Sequence, residues 1–153
     1  MKIDALLDSN VIIAIVAEAH EHHSSSLALL DGSHAGLQFG ISAHSYAEAY
    51  SVLTRRGEHG PFRFSPEEAW GALESVRAVT ALLALTGSQS FDAIKSYSQA
   101  GGVGARLYDR LIGETAVANG IGAIVTWNLG HMRSLFPALR VTTPRQFVAS
   151  AGR

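Results

Sequence analysis

Three acids far apart in the 153-residue chain, Asp8, Glu48 and Asp109, are the side chains most able to do chemistry. Asp8 follows the segment Ile3 to Leu7, which reads as a strand, and precedes Ser9 and Asn10, cap candidates for an apolar helix over 11–19. It marks the turn where a strand ends and a helix begins, and open α/β sheets bind ligands in the crevice outside such strand ends. Glu48 lies two turns into the helix after a second strand, and Asp109 one turn into the helix after the glycine loop 101–104. If the three converge, their carboxylates repel one another. A hard divalent cation such as Mg²⁺ or Mn²⁺, which prefers oxygen ligands and keeps several waters, relieves that repulsion. Such a cation polarises a phosphoryl oxygen and acidifies a water. Each acid also has a plainer use. Asp8 alone serves as a helix N-cap and Glu48 alone as part of a solvated helix face, whereas Asp109, among Leu107, Tyr108, Leu111 and Ile112, is costly to bury unpaired.

The elements that must position these acids follow from pattern and punctuation. Helices are predicted over 24–30, stopping at Asp31-Gly32, and over 42–55; a third starts at Ser65-Pro66-Glu67-Glu68 and runs to 77. Two more cover 88–100 and 105–119, the last ended by Gly120. Strands are predicted over 37–41, 79–85, 123–126 and 139–142, with 57–66 turn-rich and 128–132 a loop or single turn. Strands alternating with helical segments imply an α/β fold with a parallel sheet covered on both faces. The chain reads as one domain over residues 1–153, without repeat or linker.

Composition narrows the function. At 47% hydrophobic and 16% charged, below the ~25% charged of an average soluble domain, the chain is no disordered tail. A net charge of −1 lacks the footprint of a general DNA binder. The absence of cysteine excludes thiolate metal sites, disulfides and cysteine nucleophiles, and fits a reducing cytoplasm. No apolar run approaches the ~20 residues of a membrane span, so neither a signal peptide nor a membrane partner is expected.

Four blocks carry a resemblance. Ile3 to Ile13 with Asp8, Ser45 to Thr54 with Glu48, Leu107-Tyr108-Asp109-Arg110-Leu111-Ile112, and Ile124-Val125-Thr126-Trp127-Asn128 are similar, in order and spacing, to the signature blocks of PIN-domain nucleases. Within that family the chain looks closest to VapC-type toxins of prokaryotic toxin–antitoxin pairs. The resemblance implies a three-layer α/β/α fold, dependence on Mg²⁺ or Mn²⁺, and hydrolysis of RNA phosphodiester bonds by a homodimeric toxin that a cognate antitoxin neutralises. It matches Asp8, Glu48 and Asp109 to the family's metal-binding acids, with Asp8 and Asp109 as ligands and Glu48 completing the shell or orienting a water. The fourth acidic position is where this chain departs. Asn128 stands there, the stretch 127–136 holds no carboxylate, and His131 occupies a place where other members have an acid or a histidine.

Thr126 offers a hydroxyl at the strand end, or is simply a β-branched strand residue. Arg55, Arg56 and Arg63 are candidates for RNA phosphate contacts, or for a solvated loop face. His44, one turn from Glu48, flanks the site or serves as a cap or surface residue. His20, His22 and His23 beside Glu18 and Glu21 invite a zinc reading but lack tight ligand spacing. The missing fourth acid leaves a rival from another class, a catalytically silent PIN-like module that binds RNA or protein. A haloacid-dehalogenase phosphatase is disfavoured because Asp8-Ser9-Asn10 lacks the second aspartate. A response-regulator receiver is disfavoured because no paired acids precede Asp8.

Overall fold

The computed structural model describes residues 2–31 and 36–151. Strands β1 (Ala5–Leu7), β2 (Phe39–Ser42), β3 (Ala81–Leu83), β4 (Ala123–Val125) and β5 (Arg140–Thr142) form one sheet in the order β3-β2-β1-β4-β5. Every pairing is parallel, with Leu6 opposite both Gly40 and Ile124. Such a sheet must be covered on both sides, because successive side chains point to opposite faces and here both sets are apolar.

The alternation divides the core in two. Ala5, Leu7, Phe39, Ile41, Ala123 and Val125 point to one side, where α1 (Ser9–Val16), α3 (Ala43–Thr54), α4 (Pro66–Arg77) and α8 (Pro144–Ala151) cover them with Val11, Ile12, Leu53, Leu73 and Phe147. The short α2 (His23–Leu27) packs against α1 and α8. Leu6, Ile124 and Val141 point to the other side, beneath Ile112 and Ala116 of α6 (Arg106–Ala118) and Met132 of α7 (Leu129–Leu135); α5 (Gly87–Gln99) rests on α6. These are the three layers expected. Gly113, inside α6, lies so close to the Phe136 ring that a Cβ would overlap it, which explains a glycine at a helical position.

The differences from the sequence reading are local. The strands are shorter than expected, and the first helix starts at Ser9 with Asp8 itself as its cap. The helix expected over 24–30 spans His23–Leu27, and its expected stop at Gly32 lies outside the described residues. The stretch expected as a loop or single turn after Asn128 is the helix α7, because Leu129, Met132, Leu135 and Phe136 recur at helical spacing and bury into the second core. Beyond the last strand, α8 was not foreseen. It is opened by a reciprocal pair, Gln146 N–H donating to Thr143 Oγ1 (3.2 Å) and Thr143 N–H to Gln146 Oε1 (3.0 Å). Among the described residues no helix is long and apolar enough to cross a membrane.

Candidate active site

Chain order reverses between the neighbours β1 and β4, since the first three strands proceed to one side of β1 and the last two to the other. This is the switch point at which parallel sheets open a crevice. Asp8 stands there. Its backbone N–H continues the β1–β4 pairing by donating to the Val125 carbonyl at 3.0 Å. Its backbone is extended (φ −74°, ψ 160°), the conformation of an N-cap, and its Oδ1 accepts the Ser9 N–H at 2.7 Å. Asp8 is therefore an N-cap through Oδ1, while its Oδ2 accepts the Thr126 hydroxyl at 2.8 Å.

Thr126, one residue past β4 and wholly buried, is the hub of this corner. Its hydroxyl gives its one proton to Asp8 and accepts from the Asn10 side-chain amide and from the Asn128 backbone N–H, each at 3.0 Å. Asn10 Oδ1 in turn accepts the Trp127 N–H at 3.0 Å. Asn10 is a site residue that sequence reasoning treated only as a cap candidate; its signal was its place two residues after Asp8. Asp8 is 3% exposed, and burial raises its pKa despite the opposing hydrogen bonds from Thr126 and Ser9.

Glu48 and Asp109 approach from helices on opposite sides of the sheet. α3 begins directly at the end of β2, where Ser42 Oγ accepts the Ser45 N–H at 3.2 Å, so Glu48 follows within its second turn. Glu48 Oε1 is buried with no hydrogen-bond partner among the described residues. His44 Nε2 lies 3.1 Å from it, an ion-pair distance outside hydrogen-bonding geometry. Burial first, then the charges of Asp8 and Asp109, push the Glu48 carboxyl up to about 7. Asp109 sits in the first turn of α6, half-buried, with its Oδ2 3.7 Å from His131 Nδ1. Burial raises its pKa, and His131 and Arg106 pull it back. The His44 ring stacks on Tyr108 at 5.3 Å and 19°, tying α3 to α6 across the mouth of the site. Of the two readings of His44, its contacts with Glu48 and Tyr108 favour the one beside the candidate site.

The other candidates divide. Asn128 is exposed and its amide lies 2.9 Å from His131 Nδ1, so both belong to the Asp109 rim while the Asn128 backbone serves Thr126. Arg56 donates to the carbonyls of Arg63 and Phe64 (2.9 and 3.1 Å), and Arg63 to those of Gly60 and Gly57 (3.0 and 3.1 Å). These two guanidinium groups pin the 57–64 turns together, whereas Arg55 is exposed after α3. His22 stacks on Trp127 at 3.8 Å, His20 Nδ1 accepts the His22 N–H, and His23 Nδ1 meets the Ala14 carbonyl. Sequence reasoning missed Arg106, whose only signal was its position three residues before Asp109.

A family model for the PIN domain matches residues 5–130, from β1 into α7. The chain belongs to the PIN-domain family. Its fold is similar to that of VapC20 of Mycobacterium tuberculosis, described as a sarcin–ricin loop cleaving toxin, at TM-score 0.66 and 14% identity over 86% of this chain and 95% of that one. It is similar also to a chain of DNA-bound VapBC from Salmonella typhimurium, at TM-score 0.65 and 18% identity over 94% and 99%. A third similar fold is PAE2754 of Pyrobaculum aerophilum, at TM-score 0.60 and 15% identity over 99% and 97%. Comparison with curated proteins found no significant match.

In this PIN domain the donor set suits a hard cation. Its acids are oxygen donors, all three have pKa values raised by burial, and one buried carboxylate oxygen, Glu48 Oε1, lacks a hydrogen-bond partner among the described residues. As placed, no three such side chains among the described residues close into a ready cage. That is compatible with Mg²⁺, which is usually held by one or two carboxylates and its own waters.

Proposed function

We propose that this PIN domain is a Mg²⁺- or Mn²⁺-dependent endoribonuclease and the toxin of a toxin–antitoxin pair. The observation that carries the reading is the set of three carboxylates at the strand switch point, where the charges of Asp8 and Asp109 add to burial in pushing Glu48 up to about 7. The toxin assignment is supported by the fold likeness to VapC20 and to the VapBC complexes. When bound, the metal supplies Lewis-acid polarisation of a phosphoryl oxygen and lowers the pKa of a water. Asp8 and Asp109 would hold it, Asp8 fixed by Thr126 and the start of α1, Asp109 carried on the rim of α6. Glu48 orients the attacking water and accepts its proton at Oε1, a task suited to a carboxyl whose pKa lies near working pH. The water oxygen bonds to phosphorus as one P–O ester bond breaks, so one RNA fragment keeps the phosphate and the other leaves as a hydroxyl that takes a proton from solvent. A cognate antitoxin would neutralise the site by covering it with a basic segment, since an arginine forms charge-assisted hydrogen bonds with clustered carboxylates; the toxin itself would act as a homodimer.

Purified protein should cleave single-stranded or structured RNA with Mg²⁺ or Mn²⁺, stop on addition of EDTA, and lose activity in Asp8→Asn. Full cleavage in EDTA overturns the metal-dependent reading. RNA binding without cleavage in any metal would instead support a silent module, consistent with Asn128 in place of a fourth acid.

A further inference from the structure

We infer that Arg106 grips the RNA phosphate presented to the three carboxylates, an inference that rests on the nuclease reading and names the residue that would make the acidic site accept a polyanion. Three carboxylates repel a phosphodiester and one divalent cation offsets only two of their charges, so a further cation facing them favours its entry. Arg106 opens α6 and lies three residues before Asp109, on the same helical face. Its positive charge is felt by Asp109, whose pKa it lowers. Yet no carboxylate among the described residues lies within ion-pair distance of its guanidinium.

The guanidinium makes one recorded side-chain bond, from NH2 to His131 Nε2 at 3.0 Å. A neutral imidazole has a single accepting nitrogen. With Nε2 turned to Arg106, the other ring nitrogen, Nδ1, faces Asp109 Oδ2 at 3.7 Å and the Asn128 amide at 2.9 Å. His131 carries no negative charge, so it aims Arg106 without neutralising it. The remaining N–H groups form the planar fork that matches two phosphate oxygens, and the side chain is exposed to receive them.

The other arginines with recorded contacts are spent elsewhere. Arg56 and Arg63 hold loop carbonyls, Arg110 pairs with Glu114 at 2.9 Å, Arg133 holds the Val141 carbonyl, and Arg145 donates to Ser25. Among the described arginines, only Arg106 joins exposure, an unneutralised fork and an electrostatic link to one of the three acids.

The test uses the full chain and a fluorescent single-stranded RNA, with binding measured in Ca²⁺ and cleavage in Mg²⁺. Arg106→Ala should weaken binding and raise KM about tenfold or more. It should also flatten the slope of log affinity against log salt by about 0.7, the signature of one lost single-strand phosphate contact. Arg106→Lys should restore the salt slope but only part of the affinity, because it keeps the charge and loses the fork. His131→Ala should weaken binding less and leave the slope unchanged. Equal effects of Arg106→Ala and His131→Ala with an unchanged slope would overturn the inference and leave Arg106 as a prop for His131. Wild-type protein that binds RNA through Arg106 but never cleaves it would refute the nuclease reading while upholding the phosphate grip. Wild-type protein that neither binds nor cleaves would refute both.

Discussion

The corner around Asp8 and the rim carrying Glu48 and Asp109 hold acids of the same candidate site in opposite ways. At the corner, both carboxylate oxygens are bonded, to a backbone N–H and a buried hydroxyl, and Thr126 and Asn10 link β1, α1 and β4 into one closed network. On the rim, Glu48 and Asp109 project from two helices toward imidazoles at 3.1 and 3.7 Å, and one Glu48 oxygen has no hydrogen bond among the described residues. Satisfied buried groups contribute to folding, while unsatisfied, mutually repelling ones oppose it. The corner therefore supports the fold as well as the candidate site, whereas the acids of the rim oppose folding.

The sharpest way to break this contrast is to remove a charge from each side. Asp8→Asn and Asp109→Asn should both reduce RNA cleavage roughly 100-fold or more, the scale on which loss of preorganised electrostatic groups acts. Only Asp109→Asn should leave the metal-free protein as stable as before or slightly more so; equal melting losses in both would erase the distinction. Next in size, Thr126→Val should destabilise the fold by about 1–3 kcal/mol, because it strands the Asn128 N–H and leaves the Asn10 amide and Asp8 Oδ2 only their long bond to each other at 3.4 Å. Denaturant unfolding measures it, and a neutral result would deny the hub.

The rim has a pH signature. Glu48 is pushed from 4.5 up to about 7 in the folded state, so the folded protein holds this proton more tightly than the unfolded chain. The associated stability is present in full below about 4.5 and is lost as pH rises through about 7. Glu48→Gln should therefore raise the melting temperature of the metal-free protein by a few degrees at pH 8, with the gain vanishing near pH 5. A gain independent of pH would show that charge is not its cause. The smallest effects belong to the loop. Arg56→Ala and Arg63→Ala should each lower stability by about 0.5–1.5 kcal/mol through lost carbonyl contacts. Arg55→Ala should leave melting unchanged, and if it alters RNA affinity at constant stability it is the loop arginine that meets phosphate.

Much of this molecule was legible because its information is local. The apolar run before Asp8, the capping signals at Ser65 and the glycines at 104 and 120, both at positive φ, fix element ends through backbone sterics and neighbouring hydrogen bonds. The parallel sheet followed from alternation, since apolar side chains on both faces of a strand require cover on both. Helix α7 escaped notice because its seven residues include Gly130 and gain stability from burying Met132, a tertiary contribution that propensity does not register.

The sequence by itself determined the order of the elements and the acid types each one carries. Only the tertiary structure decided their company. Asp8 and Thr126 are 118 residues apart and meet because β1 and β4 are neighbours in a sheet whose strand order no local pattern encodes. The same holds for Arg106 and His131, joined across 25 residues by the packing of α6 on α7. Hydrogen bonds and Coulomb forces act over a few ångströms, so which acid is held rigid, which is left to titrate near neutrality and which cation faces them are properties of proximity in space, and that proximity exists only once the two cores have closed on the sheet.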